Sequence, residues 1–165
     1  PHAGHAQMAR FARERLGSAV YYELSMVNVD KAPLDFIEIA SRQNAIRSLD
    51  PAANILLTNA PTFRRKAELF PGCTFLVGAD TMARIGDPRY YERYDFEGTT
   101  GLEAAIGKIA NLGCRFLVFG REVNGRFATL EDLKIPASLR KLSTAVPAAE
   151  FREDISSTEL RQQQG

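Results

Sequence analysis

The stretch LEAAIGKIANLGCRFLVFG, residues 102–120, indicates the fold class of this chain. Over residues 102–112 its apolar positions recur at the spacing of an amphipathic helix, and Gly113 is a natural stop. The apolar run Arg115–Phe119 then predicts a buried β-strand. A helix that leads into a buried strand is the repeating unit of α/β folds, in which helices cover a mostly parallel sheet.

The same alternation extends in both directions along the chain. Helices are predicted over residues 5–16, 34–49, 62–70, 102–112 and 136–142, with a short one ending near Ile85 and a last one beginning at Ser156. Strands are predicted over residues 19–25, 54–58, 74–77, 115–119 and 149–152, and Asn124-Gly125 signals a hairpin. We therefore expect a Rossmann-like, doubly wound, mostly parallel sheet with helices on both faces, in one domain over residues 1–165.

The composition is that of an ordinary globular protein, with 45% apolar and 25% charged residues and a net charge of +1. This balance gives no reason to expect nucleic acid or a membrane as partner, and the apolar runs are shorter than the ~20 residues of a membrane helix. Cys73 and Cys114 lie beside strand-like runs without metal-ligand spacing. That pattern favours buried, reduced thiols in a cytoplasmic protein over a disulfide. Assembly into a homo-oligomer stays open.

Ile155-Ser156-Ser157-Thr158 stands where the last helix is predicted to begin, and Arg161 follows one turn later. One interpretation is a helix N-cap, because serine and threonine satisfy the free amides of a first turn. The other is an anion site, because amides, hydroxyl groups and the helix dipole converge on a point that suits a phosphate. Arg161 would add a planar, permanently charged donor.

His2-Ala3-Gly4-His5 carries the two histidines of the chain at the start of the first predicted helix. Gly4 allows a ligand to approach the backbone closely, and paired imidazoles can donate hydrogen bonds to phosphate oxygens. Metal ligation is a rival interpretation, although cysteines and carboxylates do not stand at matching spacing nearby in the sequence. Chance surface histidines at an exposed terminus are the second alternative.

Taken together, these two motifs resemble those of the nucleotidyltransferase superfamily marked by HxGH near the N-terminus and ISSTxxR near the C-terminus. Its members include the nicotinamide and nicotinate mononucleotide adenylyltransferases. Residues 2–5 match the first motif and residues 155–161 match the second. Gly78-Ala79-Asp80 looks like the superfamily's GxD element, which contacts a ribose, and Lys31 looks like the lysine that meets the acceptor's phosphate.

The resemblance implies a direct in-line displacement, in which an acceptor phosphate attacks the α-phosphorus of ATP and pyrophosphate leaves. Protein groups then act mainly by positioning and charge stabilisation, and Mg²⁺ bridges phosphate oxygens. The expected catalytic residues are His2, His5 and Arg161, the nucleotide-binding residues are Gly4, Gly78, Asp80, Ile155, Ser156, Ser157 and Thr158, and the acceptor-binding residues are Lys31, Arg42 and Arg121. Metal ligands from the protein are not expected.

Alternatives remain for three of these residues. Asp80 also suits a helix N-cap, and Arg42 suits a solvated surface charge. Arg121, which follows a strand, could border the nucleotide instead of the acceptor. Two further functions also stay open. One is a cytidylyltransferase that uses CTP and a small phosphate ester, and the other is a nucleotide-binding module without catalysis.

Two features depart from the superfamily pattern. The superfamily carries a strand and a Gly-x-Phe-x-Pro segment just before HxGH, and only Pro1 of that segment is present. Because that strand is central in the sheet, we expect about ten or more residues to precede Pro1. The loop Asn28-Val29-Asp30-Lys31 also differs from the proline-histidine-lysine form of the bacterial nicotinate enzymes, which leaves the acceptor open.

Overall fold

Helices and strands alternate along the part of the chain that the structure, a computed structural model, describes: residues 2–27, 33–91, 101–123 and 126–151. The helices are α1 (Ala3–Leu16), α2 (Phe36–Leu49), α3 (Phe63–Leu69), α4 (Ala79–Ile85), α5 (Gly101–Asn111) and α6 (Ala137–Lys141). The strands are β1 (Tyr21–Ser25), β2 (Asn54–Thr58), β3 (Thr74–Gly78), β4 (Arg115–Phe119), β5 (Arg121–Val123), β6 (Arg126–Ala128) and β7 (Ser143–Val146). Parallel sheets flanked by helices confirm the predicted α/β, Rossmann-like class.

The first of two compact units is described from His2 to Thr62 and contains α1, β1, α2 and β2. β1 and β2 are parallel, with Tyr21 opposite Asn54 and Ser25 opposite Thr58. Parallel neighbours require a crossover connection, and α2 provides it. α2 begins where the Asp35 carboxylate accepts a hydrogen bond from the Glu38 amide at 2.7 Å.

Asp50, which follows α2, joins three elements of this unit. Its Oδ2 accepts a hydrogen bond from Arg13 Nη2 of α1 at 2.5 Å and another from the Tyr22 hydroxyl of β1 at 3.0 Å. The hydrogen bond from Arg13 is the main cause that lowers the pKa of Asp50, and burial is the main cause that raises the pKa of Tyr22 to about 12. We call Arg13, Tyr22 and Asp50 the Asp50 clasp, which anchors α1 to β1 and to the end of α2.

The second unit is described from Phe63 to Phe151 and contains a three-stranded parallel sheet in the order β3-β4-β7. The central strand β4 is buried from Phe116 to Phe119, as expected for a strand covered on both faces. The core around it takes fully buried side chains from α4, α5 and α6, among them Met82, Ile109 and Leu139. The organisation of residues 1–165 as a single domain stays a prediction.

A short hairpin follows β4 and confirms the hairpin prediction. β5 and β6 pair antiparallel, with Arg121 opposite Ala128, while the turn residues 124 and 125 lie outside the described residues. A Cβ atom on Gly120 would stand only 2.6 Å from ring carbons of Phe127. Phe127 therefore packs against bare backbone at the end of β4, which holds the hairpin onto the sheet.

The last strand lies earlier than the sequence predicts. Residues 149–151 are a turn and irregular backbone, so the predicted strand over residues 149–152 is wrong in its described part, and β7 occupies Ser143–Val146. Pro147 has no amide hydrogen with which to extend the ladder, and its carbonyl accepts hydrogen bonds from the Glu150 and Phe151 amides at 2.9 and 3.1 Å. The terminal helix predicted from Ser156 lies outside the described residues.

The two cysteines are free thiols at the starts of β3 and β4, with 4.0 Å between their sulfur atoms. Cys114 is fully buried and Cys73 is half-buried. Burial, and then the neighbouring Cys114, raises the pKa of Cys73 to about 12. The structure thus shows two thiols without a disulfide, as expected, although Cys73 is less buried than expected. Within the described ranges, none of the helices combines the length and the apolar character that crossing a membrane requires.

Candidate functional site

The start of α1 is built by the predicted histidine pair. His2 is the N-cap residue, in extended conformation, and its Nδ1 accepts a hydrogen bond from the Gly4 amide at 3.1 Å. In return the His2 amide donates to Nδ1 of His5 at 3.3 Å. The two rings meet edge to face, with centroids 4.1 Å apart. This is a capping box made from two imidazoles, and because of it α1 begins at Ala3 rather than at the predicted residue 5.

The capping box sets the tautomer of both rings. A ring nitrogen that accepts a hydrogen bond carries no hydrogen, so each neutral imidazole has its hydrogen on Nε2. Both histidines therefore carry an Nε2–H group near the N-terminus of a 14-residue helix, where the dipole favours an anion. A phosphate oxygen is the kind of acceptor that such donors suit.

Metal ligation fits this geometry poorly for both histidines, and chance exposure fits it poorly for His2. A neutral imidazole binds a metal through a nitrogen without hydrogen, and the Nδ1 atoms of His2 and His5 already accept amide hydrogens. Among the described residues, His, Cys, Asp and Glu side chains do not cluster in groups of three or more that could hold a metal. Chance exposure does not describe His2, which is 9% exposed, whereas His5 is exposed.

Gly78, Asp80 and Arg121 come together in the second unit, at the carboxyl edge of its sheet. Gly78 ends β3 opposite Phe119 of the adjacent β4, and Arg121 follows Gly120 directly after β4. Nη1 of Arg121 lies 3.3 Å from Oδ1 of Asp80 in an ion pair. The carboxylate side chain is 45% exposed and the guanidinium side chain is 18% exposed, so the acid is the more accessible partner.

The interpretation of Asp80 as a helix N-cap is wrong. The N-cap of α4 is Gly78, without a side-chain hydrogen bond to the first turn, and Asp80 lies inside the helix. The Asp80 carboxylate takes its hydrogen bond from Arg121 instead of from the amides of α4. Gly78 makes this possible, because a Cβ atom there would stand 2.7 Å from Oδ1 of Asp80.

Of the remaining predicted site residues, the structure describes Arg42, and the others lie outside the described residues. Arg42 lies on α2 with Nη2 at 3.8 Å from Oε1 of Glu38, one turn earlier, and its side chain is 40% exposed. This is a weak surface pair of the kind that contributes little stability. Lys31, Ile155, Ser156, Ser157, Thr158 and Arg161 lie outside the described residues, so their roles stay predictions.

The partnership between Asp80 and Arg121 was not predicted from the sequence, in which the two residues are separated by 41 positions. The structure pairs Arg121 with Asp80, and acceptor binding by Arg121 stays a prediction. One signal could have found the pair, because both residues follow buried strands of an α/β sheet within two positions of a glycine. The missing information was that these two strands are neighbours.

Comparison with known proteins places the chain in one family. The sequence matches the cytidylyltransferase-like family over residues 1–163, a range that covers both the histidine pair and residues 155–161. Comparison with curated proteins finds no match, and neither does comparison with solved structures. The match spans nearly the whole chain and agrees with the parallel α/β architecture. This chain therefore belongs to the cytidylyltransferase-like family, the HxGH superfamily of nucleotidyltransferases.

Proposed function

We propose that this protein transfers the AMP group of ATP to a phosphate-bearing acceptor of the nicotinamide or nicotinate mononucleotide kind, with release of pyrophosphate. The observation that carries the proposal is the capping box of His2 and His5. It gives both rings an Nε2–H donor at the start of α1, in a chain that belongs to a nucleotidyltransferase family. Two such donors at a helix N-terminus suit the α-phosphate on which charge develops.

The reaction we propose is a single displacement. An oxygen of the acceptor's phosphate forms a bond to the α-phosphorus of ATP, the bond from that phosphorus to the β-bridging oxygen breaks, and pyrophosphate leaves with the bonding electrons. His2 and His5 donate hydrogen bonds to the α-phosphate oxygens, beside the close backbone approach that Gly4 permits. Arg161, with the segment Ile155-Ser156-Ser157-Thr158, holds the β- and γ-phosphates.

The other residues position the two substrates. Asp80, which Gly78 leaves room for, accepts hydrogen bonds from the ribose of the nucleotide. Lys31 and Arg42 hold the acceptor's phosphate. Arg42 can leave Glu38 at little cost, because a 3.8 Å pair between half-exposed side chains is weak. Positioning of this kind accounts for much of the rate in a reaction without a covalent intermediate.

Magnesium enters this proposal through the nucleotide. Mg²⁺ prefers oxygen ligands and usually binds through substrate phosphates with one or two carboxylates. The carboxylate at the described strand edge, Asp80, is paired with Arg121. We therefore propose that Mg²⁺ is held mainly by the triphosphate oxygens, where it offsets their charge. The free thiols of Cys73 and Cys114 favour a reducing compartment, the cytoplasm, with small molecules as partners.

A second candidate is transfer of CMP from CTP to a small phosphate ester such as an alcohol phosphate. The description of the matching family as cytidylyltransferase-like favours it. Thermal unfolding in the presence of ATP and of CTP in turn distinguishes these two nucleotide substrates. The first proposal predicts that ATP raises the melting temperature of the protein more than CTP does, and a larger rise with CTP would select the second candidate.

A pyrophosphate-release screen tests the proposal and finds the acceptor. ATP and CTP are each combined with nicotinamide mononucleotide, nicotinate mononucleotide and a series of alcohol phosphates. We expect acceptor-dependent release with ATP and one of the mononucleotides, and its loss in His5→Ala. Release that survives His5→Ala would contradict the proposed role of the histidine pair. Tight nucleotide binding without turnover across the panel would instead identify a binding module.

A further inference from the structure

We infer that Arg121 is a positioning residue that holds the Asp80 carboxylate toward the hydroxyl groups of a ribose, so that the protein selects ribonucleoside over 2′-deoxyribonucleoside triphosphates. The inference rests on the proposed function, in which Asp80 meets the ribose of the bound nucleotide. What it adds is a role for Arg121 that differs from acceptor binding, and a substrate class that follows from that role.

The ion pair leaves the carboxylate ready for a ligand. Arg121 contacts Oδ1 of Asp80 at 3.3 Å, and Oδ2 accepts no hydrogen bond from the residues that the structure describes. The arginine side chain is also the more buried of the two, at 18% exposed against 45% for Asp80. Arg121 therefore holds one carboxylate oxygen, and the other can accept a hydrogen bond from a ligand. The pair lies at the carboxyl edge of the sheet, where ligands of α/β folds bind.

The chemistry of a paired carboxylate selects hydrogen-bond donors. An ionised carboxylate only accepts hydrogen bonds, and the donors of a nucleoside triphosphate are its ribose hydroxyls and base amino groups. The phosphates are acceptors that carry the same charge sign as Asp80. Arg121 offsets the charge of Asp80, so an anionic ligand can approach this carboxylate with less repulsion.

Two glycines fix the geometry of the pair. A Cβ atom on Gly78 would stand 2.7 Å from Oδ1 of Asp80 and 3.8 Å from Nη1 of Arg121, so the missing side chain makes room for both groups. On the other side, Phe127 packs against Gly120 and the β5–β6 hairpin pairs Arg121 with Ala128. The backbone of Arg121 is thus held by the packing of Phe127 on Gly120 and by the hairpin pairing. A positioning residue requires such a fixed backbone.

The test measures dissociation constants for ATP and 2′-deoxyATP. In the wild-type protein we expect ATP to bind about tenfold or more tightly than 2′-deoxyATP, since a hydrogen bond to a charged group is worth at least that factor. Arg121→Gln, which shortens the side chain slightly and removes its charge, should cut this ratio severalfold, and Asp80→Asn should bring it close to one. The double variant should not lower the ratio further, because both changes act through one carboxylate.

Controls separate positioning from general loss of structure. Arg115→Gln makes the same chemical change at the opposite end of β4 and should leave the ratio unchanged. If Arg121→Gln does not fold, Gly78→Ala displaces the Asp80 carboxylate by contact and should lower the ratio in its place. Arg121→Lys should restore part of the ratio, since it restores the charge without the planar fork.

The outcomes also distinguish this inference from the proposed function. Pyrophosphate release by the wild-type protein together with an unchanged ratio in Arg121→Gln and Gly78→Ala would overturn the role of Arg121 and leave the proposed function standing. A wild-type ratio near one would overturn the ribose selection. Failure of the wild-type protein to bind any nucleoside triphosphate would overturn both.

Discussion

At the scale of single residues, the histidines of the HxGH segment have two separate tasks. Their Nδ1 atoms accept hydrogen bonds from backbone amides and cap α1. Their Nε2–H groups are the proposed donors of hydrogen bonds to the phosphate oxygens. Because the tasks fall on different atoms of the same ring, substitutions can separate them. Asparagine reproduces the acceptor position of Nδ1 and lacks a group at the position of Nε2, and it is one of the preferred N-cap residues.

His2→Asn should therefore keep the fold and lose the activity. We expect its free energy of unfolding to stay within about 0.5 kcal/mol of the wild-type value, because the cap is retained. Pyrophosphate release should fall by about 100-fold or more, the usual cost of removing one preorganised donor. Thermal unfolding and steady-state kinetics measure the two effects, and His2→Ala, which should lose about 1 kcal/mol as well, is the control. A wild-type rate in His2→Asn would show that Nε2 of His2 takes no part.

Short motifs singled out His2, His5, Gly78 and Asp80 as candidate site residues, since these are local features of the sequence, and their roles stay predictions. The partner of Asp80 did not follow, because Arg121 meets it only through the adjacency of β3 and β4. The capping role of the histidines was missed as well, because it depends on the extended backbone of His2.

At the scale of elements, the Asp50 clasp should make the stability of the first unit depend on pH at both ends of the range. The pKa of Asp50 is lowered in the fold, so its contribution is present above its unfolded value and is lost as pH falls through the folded pKa. The pKa of Tyr22 is raised from 10.0 to about 12, so its contribution is present below 10.0 and is lost as pH rises through about 12.

Asp50→Asn tests the clasp. We expect a loss of about 1–3 kcal/mol in the free energy of unfolding at neutral pH, since a partly buried charge-assisted hydrogen bond to Arg13 is weakened. The fall in stability toward acid should also become shallower, as measured by denaturant unfolding at several pH values. Tyr22→Phe is the matched control. Its free energy of unfolding should keep the dependence on pH in the acid range and should depend less on pH in the alkaline range. An acid dependence that is unaltered in Asp50→Asn would show that another carboxylate dominates.

Two glycine substitutions probe the packing of β4 and α5 with opposite expected signs. Gly120→Ala places a Cβ atom 2.6 Å from the Phe127 ring and 3.3 Å from the carbonyl oxygen of Ala128, so we expect about 1–3 kcal/mol of destabilisation. Gly107 lies inside α5, and a Cβ atom there would meet no described residue outside its own helix within 4 Å, so Gly107→Ala should stabilise by about 0.5–1 kcal/mol. Melting temperatures show whether each variant is more or less stable than the wild-type protein. A higher melting temperature for Gly120→Ala would contradict the packing of Phe127 against Gly120.

Elements with strong periodicity were predicted closely, and those governed by single residues were not. α5 and β4 follow the sequence analysis almost to the residue, because long apolar stripes and buried runs leave few alternatives. The last strand lies earlier than the predicted residues 149–152, because Pro147 cannot extend the ladder and β7 ends at Val146.

At the scale of the whole molecule, the alternation of helices and strands was sufficient to predict a parallel α/β architecture. The order of strands was not predictable from the same pattern, since it depends on contacts far apart in sequence. The central place of β4 has a visible cause, however, because each residue from Phe116 to Phe119 is buried. Membership of the cytidylyltransferase-like family agrees with the two end motifs, so fold and family now support one chemistry.

The measurement that tests this chemistry most directly is phosphorus NMR of the product formed from ATP and the acceptor found in the screen. Nucleotidyl transfer predicts one pyrophosphate for each product molecule, and a pair of coupled resonances from the new oxygen bridge between the α-phosphorus of ATP and the acceptor's phosphorus. Conversion of ATP to AMP or ADP without that coupled pair would contradict nucleotidyl transfer to a phosphate.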